Sequence, residues 1–138
     1  MNPFSCPPAP EKLSVLSLAY LGDAVYELYV RGKLLSGGET NPERLHRAAV
    51  RYVNARSQAQ ILAHLKPGLT PLEEDLVRRA RNARSSHAPR GATLAEYHAS
   101  TAFEALIGYL FAKGELERLD WIFGQVEEFL ASAKGEES

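Results

Sequence analysis

Residues 18–28 read LAYLGDAVYEL, and the rest of the chain is organised around this stretch. Apolar side chains recur in and before it at the spacing of one helical face: Leu13, Leu16, Tyr20, Ala24 and Leu28. Asp23 lies among them on the helical wheel, and Glu27 follows one turn later. A carboxylate on an apolar face needs a cation, backbone donors or a metal ion to offset its desolvation. Asp23 is therefore a candidate metal ligand; the alternative is an acid at the edge of the face, bonded to a helix terminus or an arginine.

A second acid of this kind occurs in residues 100–111, which read STAFEALIGYLF. The neighbours of Glu104 on the wheel are small or apolar, so two otherwise apolar helices each carry one acid. This pattern favours helices that bring Asp23 and Glu104 together, because each carboxylate alone would be costly to bury. Gly22 and Gly108 lie close to the two acids in sequence. A glycine inside a helix costs about 1 kcal/mol, so we expect close approach of a backbone or a ligand at both glycines.

Composition indicates one compact domain in a chain of 138 residues that is 45% hydrophobic. We expect a flexible N-terminal tail at residues 1–10, the folded domain at 11–133 and a frayed tail at 134–138. No apolar run approaches the roughly 20 residues of a membrane span, and the start of the chain lacks a secretory signal. The single cysteine, Cys6, cannot form an internal disulfide. A cytoplasmic protein is therefore expected.

Capping signals and apolar periodicity predict an all-α fold with about six main helices. The first runs from 11 to 35 and ends at two glycines, and the second runs from 42 to 53 with Asn41 as its N-cap. The third, at 58–65, begins after Ser57. Thr70 opens the fourth, which ends near 84, and Thr93 opens the fifth, which ends near 113. The sixth occupies 115–133, and no strand-like alternation occurs.

The net charge of −1 hides a strong segregation of charge along the chain. Residues 1–43 carry −2, residues 44–90 carry +7 and residues 91–138 carry −6. Such asymmetry indicates a polyanionic partner, and guanidinium groups bind phosphate oxygens in a forked geometry. The candidate phosphate-binding residues form one stripe on the second helix and one group in the acid-free segment 76–95: Arg44, Arg47 and Arg51, then Arg78, Arg81, Arg84 and Arg90.

Two motifs resemble those of the ribonuclease III family. The residues at 21–25, LGDAV, are similar to the signature helix of that family, and FEALIG at 103–108 is similar to its second acidic motif. More narrowly, residues 18–27, the RNAR run at 81–84 and STAFE at 100–104 resemble the Mini-ribonuclease III group. That group has the catalytic domain without a double-stranded-RNA-binding domain.

The resemblance implies a helical, homodimeric, Mg²⁺-dependent endonuclease that cuts double-stranded RNA. Asp23 and Glu104 match the two acids that bind the catalytic Mg²⁺. The chain has Ala19 and Thr101 where full-length family members have two further acids, so fewer carboxylates hold metal. The usual substrate of the group is precursor 23S ribosomal RNA, and a large-subunit ribosomal protein is a further candidate partner. We expect the dimer interface to include the helix at residues 13–28, which is apolar over more of its circumference than one core face requires.

Two other functions fit parts of the pattern. A non-catalytic helical RNA- or ribosome-binding protein would use the same basic residues, with its carboxylates merely buried and paired. A metal-dependent phosphohydrolase acting on nucleotides is disfavoured, because a small substrate does not need ten basic residues spread over 44–90. Mg²⁺-dependent cleavage of duplex RNA separates these alternatives.

Overall fold

The computed structural model describes residues 9–83 and 87–137, with side chains as far as Ala133. Within these residues it is all-α, as predicted: six α-helices, two short 3-10 helices and no strand. The α-helices are α1 (Val15–Ser36), α2 (Pro42–Val53), α3 (Ala55–Leu65), α4 (Pro71–Asn82), α5 (Leu94–Lys113) and α6 (Leu116–Glu137). The 3-10 helices are Pro10–Lys12 and Lys66–Gly68. No helix in the described part of the chain is long and apolar enough to cross a membrane.

Three predicted N-caps are confirmed by their hydrogen bonds. Asn41 Oδ1 accepts the N–H groups of Glu43 and Arg44 at 3.0 and 3.1 Å. Thr70 and Thr93 each form a capping box, in which the threonine hydroxyl and a glutamate three residues later satisfy each other's backbone N–H groups. These helix starts are therefore encoded locally in the sequence.

Two helix starts differ from prediction. The chain is not helical from residue 11 onwards: a 3-10 turn ends at Lys12, and α1 begins at Val15, where Ser14 Oγ accepts the Ser17 N–H at 3.1 Å. The cap of α3 is not Ser57 but Asn54, whose side chain accepts the Ser57 N–H at 2.8 Å. Asn54 also ends α2, so a single residue serves as the corner between the two helices.

The chain ends also depart from the expected tails. Pro10, placed in a flexible tail by the sequence, is buried in the first 3-10 helix. At the other end, α6 extends to Glu137, beyond its expected end near Ala133. Residues 1–8 lie outside the described residues.

The core is built around α5, which is buried from Ala99 to Leu110 except at Glu104. Its apolar residues occupy the whole circumference, as in helices enclosed on all sides. α1, α3 and α4 pack most extensively against it, and α6 adds a further side. Glu104 is thus an acid in the central helix of the protein.

The buried face of α1 is not the one that the sequence suggested. Tyr20 is 85% exposed and Leu28 64%, and Ala24 between them is exposed as well. The core face instead consists of Leu18, Gly22, Tyr26 and Val30, which are four residues apart, together with Ala19. α1 has apolar residues on more than one face, so periodicity alone does not show which face is buried. The buried face is the one with Gly22, because only a glycine leaves room there for the α5 backbone. The displaced set, Tyr20, Ala24 and Leu28, forms an exposed apolar stripe, named here the α1 stripe.

A buried ion pair joins α4 to α6. Glu73 is only 3% exposed, and its carboxylate accepts both Arg118 Nε at 2.9 Å and Nη2 at 2.8 Å. Arg118 also donates to the Gly68 carbonyl at 2.7 Å and stacks 3.9 Å from the ring centre of Trp121. Burial raises the pKa of Glu73, but the hydrogen bonds from Arg118 and Thr70 outweigh it and hold the pKa below its usual value.

Candidate active site

The two candidate ligands lie where α1 and α5 approach most closely. A Cβ added at Gly22 would stand 1.7 Å from the Glu104 carbonyl oxygen, and one added at Gly108 would stand 1.9 Å from the Leu18 carbonyl oxygen. Only glycine fits at either position. The predicted close approach is therefore confirmed, and the approaching group is the opposite backbone. Asp23 follows Gly22 directly, so the two acids belong to one helix crossing.

The environments of the two acids differ from the expectation. Asp23 was placed on a buried apolar face, but its side chain is exposed at the border of the α1 stripe. Its desolvation cost in the single chain is therefore small. Glu104 is half-buried among buried neighbours on α5. The helix crossing therefore carries one solvent-facing carboxylate on α1 and one half-buried carboxylate on α5.

Polar side chains beside Glu104 are tied to the backbone of α5. Ser100 Oγ and Thr101 Oγ1 both donate to the Tyr97 carbonyl, at 2.8 and 3.1 Å. Thr101 is fully buried. Both hydrogen bonds therefore lie within α5 itself.

The residues present fit a Mg²⁺ ion that is bound by only two protein carboxylates. Mg²⁺ prefers oxygen ligands and is commonly bound by one or two carboxylates together with waters and substrate phosphate. Asp23 and Glu104 supply such oxygens. Within the described part of the chain no group of three or more His, Cys, Asp or Glu could hold a metal. Glu27, one turn after Asp23, is paired with Arg31, whose Nε lies 3.1 Å from its carboxylate.

A polar network behind the crossing escaped sequence analysis. Tyr26 packs edge-on against Phe103 with ring centres 5.0 Å apart, and its hydroxyl donates to the Tyr52 carbonyl at 3.0 Å. The hydroxyls of Tyr29 and Tyr52 both donate to Glu127 of α6. Burial, with Glu127 nearby, raises the pKa of the Tyr29 hydroxyl above its ordinary value, so the group stays protonated and donates. The network fixes α1 against α2 and α6 one turn beyond Asp23.

The first basic group lies on the solvent side of α2, as predicted. Arg44, Arg47 and Arg51 are all exposed. Arg44 Nη1 stands 3.5 Å from Glu39 Oε1, whereas Arg47 and Arg51 have no ion pair with the described residues. Two guanidinium groups of this stripe are therefore available to an anion.

The second basic group is more constrained than the sequence suggested. Arg78 binds Asp75, and Arg79 binds the same carboxylate. Arg81 and Arg90 are exposed and have no ion pair with the described residues. Arg84, the remaining predicted member, lies outside the described residues.

Comparison with known proteins places this geometry among ribonucleases. The model of the ribonuclease III domain matches residues 16–115. A Mini-ribonuclease 3 of Symbiobacterium thermophilum is 50% identical over 129 residues, covering 94% of each chain. A Mini-ribonuclease 3 of Brevibacillus brevis is 43% identical over 127 residues, covering 92% of each. A crystal structure of a Fusobacterium nucleatum protein superposes with a TM-score of 0.78 at 33% identity, covering 83% of this chain and 93% of that one.

Proposed function

Since this chain belongs to the ribonuclease III family and is therefore an endoribonuclease, we propose that it hydrolyses double-stranded RNA with Mg²⁺ at Asp23 and Glu104. One observation supports the proposal: the backbone at Gly22, which directly precedes Asp23, packs against the backbone of Glu104 at a crossing that two glycines make possible. An acid emerging from the central helix and an exposed acid on its closest neighbour form a site open to a large substrate.

The chemistry assigned to the acids is metal binding. The serine beside Glu104, Ser100, donates its hydroxyl to the Tyr97 carbonyl, and water is assigned as the nucleophile in this proposal. Bound Mg²⁺ would supply an activated water and positive charge beside the phosphate oxygens. Asp23 and Glu104 act as ligands and do not transfer protons. The close packing of α1 on α5 fixes the position of one helix backbone relative to the other.

RNA binding is assigned to the basic groups on α2 and α4. A-form duplexes are recognised mainly through phosphates, 2′-hydroxyls and shape, which suits exposed arginines on helices. Arg47, Arg51, Arg81 and Arg90 form the accessible set. The rest of the chain is net negative, so a duplex is steered toward this side.

A homodimer completes the proposal. Each chain holds one candidate site, and cutting both strands of a duplex needs two sites related by a two-fold axis. The α1 stripe is the surface that a second copy covers, because it presents large exposed apolar side chains beside Asp23. Pairing through this stripe would shield Asp23 on one side and bring the two sites near a common axis.

We assign the substrate as precursor 23S ribosomal RNA in the cytoplasm. The support is the resemblance to the Mini-ribonuclease III group together with the basic residues that a structured RNA requires. A large-subunit ribosomal protein is proposed as a further partner on the same grounds.

The decisive experiment incubates long duplex RNA with the protein, with and without Mg²⁺. The substitutions Asp23→Asn and Glu104→Gln keep side-chain size and remove one metal ligand each. Each should abolish Mg²⁺-dependent cleavage while the melting temperature stays close to that of the wild type. Asp120→Asn is the matched control, because Asp120 is an equally exposed aspartate on α6, and it should cut normally. Near-normal cleavage by either site variant would remove that residue from the site, and a wild type that binds but never cuts would favour the non-catalytic alternative.

A further inference from the structure

Asp75 lies on the solvent side of α4 between two arginines that it holds at once. Arg78 Nη2 stands 2.6 Å from Asp75 Oδ1, and Arg79 Nε stands 3.0 Å from Asp75 Oδ2. Each guanidinium thus uses a separate carboxylate oxygen. The hydrogen bonds from Arg78 and then Arg79 hold the pKa of Asp75 below its ordinary value, so the carboxylate is charged at neutral pH.

This arrangement follows from helix geometry. Residues three and four positions later lie one turn above Asp75 on either side, and long side chains on a helix lean toward its N-terminus. Both arginines therefore lean onto the same acid. Glu74, the preceding residue, is also exposed but has no ion pair with the described residues.

We propose that Asp75 sets the affinity of the protein for duplex RNA by competing with phosphate for Arg78 and Arg79. This inference rests on the proposed function, because it concerns the same RNA surface. A phosphate that approaches α4 meets two guanidinium groups already oriented by an anion, and must displace or share that anion. Removing the carboxylate would leave both guanidinium groups free to bind phosphate.

Because these side chains are exposed, carboxylate and phosphate can replace each other on the two arginines. All three side chains are at least half exposed, and ion pairs of this kind contribute about 0–1 kcal/mol, so phosphate can replace the carboxylate. The ion pairs of Asp75 are weak enough for phosphate to displace them and strong enough to lower the affinity for RNA. An endonuclease benefits from this balance, since its cleaved product carries the same phosphates as its substrate.

The test compares Asp75→Asn with Glu74→Gln by fluorescence anisotropy on a labelled duplex RNA. Both proteins carry Asp23→Asn so that the RNA stays intact, and salt is varied. Asp75→Asn should bind about fivefold or more tightly at low salt, and its plot of log K against log salt should steepen by about one unit or more. Glu74→Gln removes the same charge without freeing an arginine and should change both quantities much less.

A protein that lacks both arginines separates competition for the arginines from a simple effect of net charge. In Arg78→Ala/Arg79→Ala protein, Asp75→Asn should have little further effect on affinity. An equal gain from Glu74→Gln, or an undiminished gain in the double-alanine background, would show that only net charge matters and would overturn the proposal. Unchanged affinity and slope for Asp75→Asn would overturn it as well. Cleavage by the wild type, measured separately, shows whether the proposed function itself stands.

Discussion

Replacement of Gly22 by alanine tests whether the α1–α5 crossing holds the fold and the site together. The new Cβ would stand 1.7 Å from the Glu104 carbonyl oxygen, about 1.3 Å closer than the 3.0 Å below which real Cβ atoms essentially never come. The obstacle is backbone, so no side-chain rotation relieves the overlap. The helices must separate along their most extensive interface, which loosens the packing of buried residues on both.

The expected cost is large for one added methyl group. Overpacking a core typically costs about 1–3 kcal/mol, and a backbone-to-backbone overlap at the central helix places Gly22→Ala at or above the upper end. For a domain of this size, 3 kcal/mol lowers the melting temperature by roughly 10 °C. Cleavage by the fraction that remains folded should also fall, since a displacement of about 1 Å at a reacting site can cost about 100-fold in rate.

Gly32→Ala is the control in the same helix. A Cβ at Gly32 meets nothing within 4 Å, so only the helix preference of alanine acts there. Gly32→Ala should raise the free energy of unfolding by about 0.5–1 kcal/mol. Chemical denaturation of the two variants and the wild type gives the comparison. If Gly22→Ala loses less than about 1 kcal/mol, the crossing is more adaptable than this reasoning allows.

Two further substitution pairs test assembly and the buried ion pair. The proposed homodimer should be disrupted by Leu28→Lys, which should sediment as a monomer at micromolar concentration. Leu116→Lys, similarly exposed at 61% on α6, should leave it intact. A wild-type monomer in active preparations would refute the assembly. Arg118→Ala leaves the buried Glu73 charge uncompensated and should lose about 3 kcal/mol in denaturation, more than Glu73→Gln, whose amide can keep the capping box. The pKa of Glu73 is lower in the folded protein than in the unfolded chain, where it is near 4.3. The charged carboxylate therefore stabilises the fold above the unfolded pKa, and this stabilisation is lost as the pH falls through the folded pKa. Acid titration should destabilise the wild type more than Glu73→Gln, and equal acid sensitivity would contradict this.

Sequence reasoning succeeded where the determining interactions are local. Thr70 and Thr93 cap helices through residues three positions away, and the spacing shows both partners. The isolated position of Glu104 in an apolar helix and the two costly glycines also indicated the crossing. These signals depend on residue type and short separations alone.

Features that depend on distant partners were not predicted. The core face of α1 was not predicted, because it is set by the approach of α5 at Gly22, and the apolar pattern of α1 alone does not show that approach. The Glu73–Arg118 pair joins positions 45 residues apart, and the capping-box pattern of Glu73 does not indicate a partner on α6. The pairing of Arg78 with Asp75 was not predicted either, because Glu74 and Asp75 are both one turn away from Arg78 and spacing does not decide between three and four residues.

The separation between Asp23 and Glu104 also has a consequence for biosynthesis. The two acids are about 80 residues apart in the chain, so α1 leaves the ribosome well before its partner helix has been made. At about 5–20 residues per second, the nascent chain spends several seconds with both apolar sides of α1 uncovered. During this interval the proposed site, which needs both Asp23 and Glu104, is not assembled. On that proposal, nuclease activity is delayed until the central helix α5 is complete.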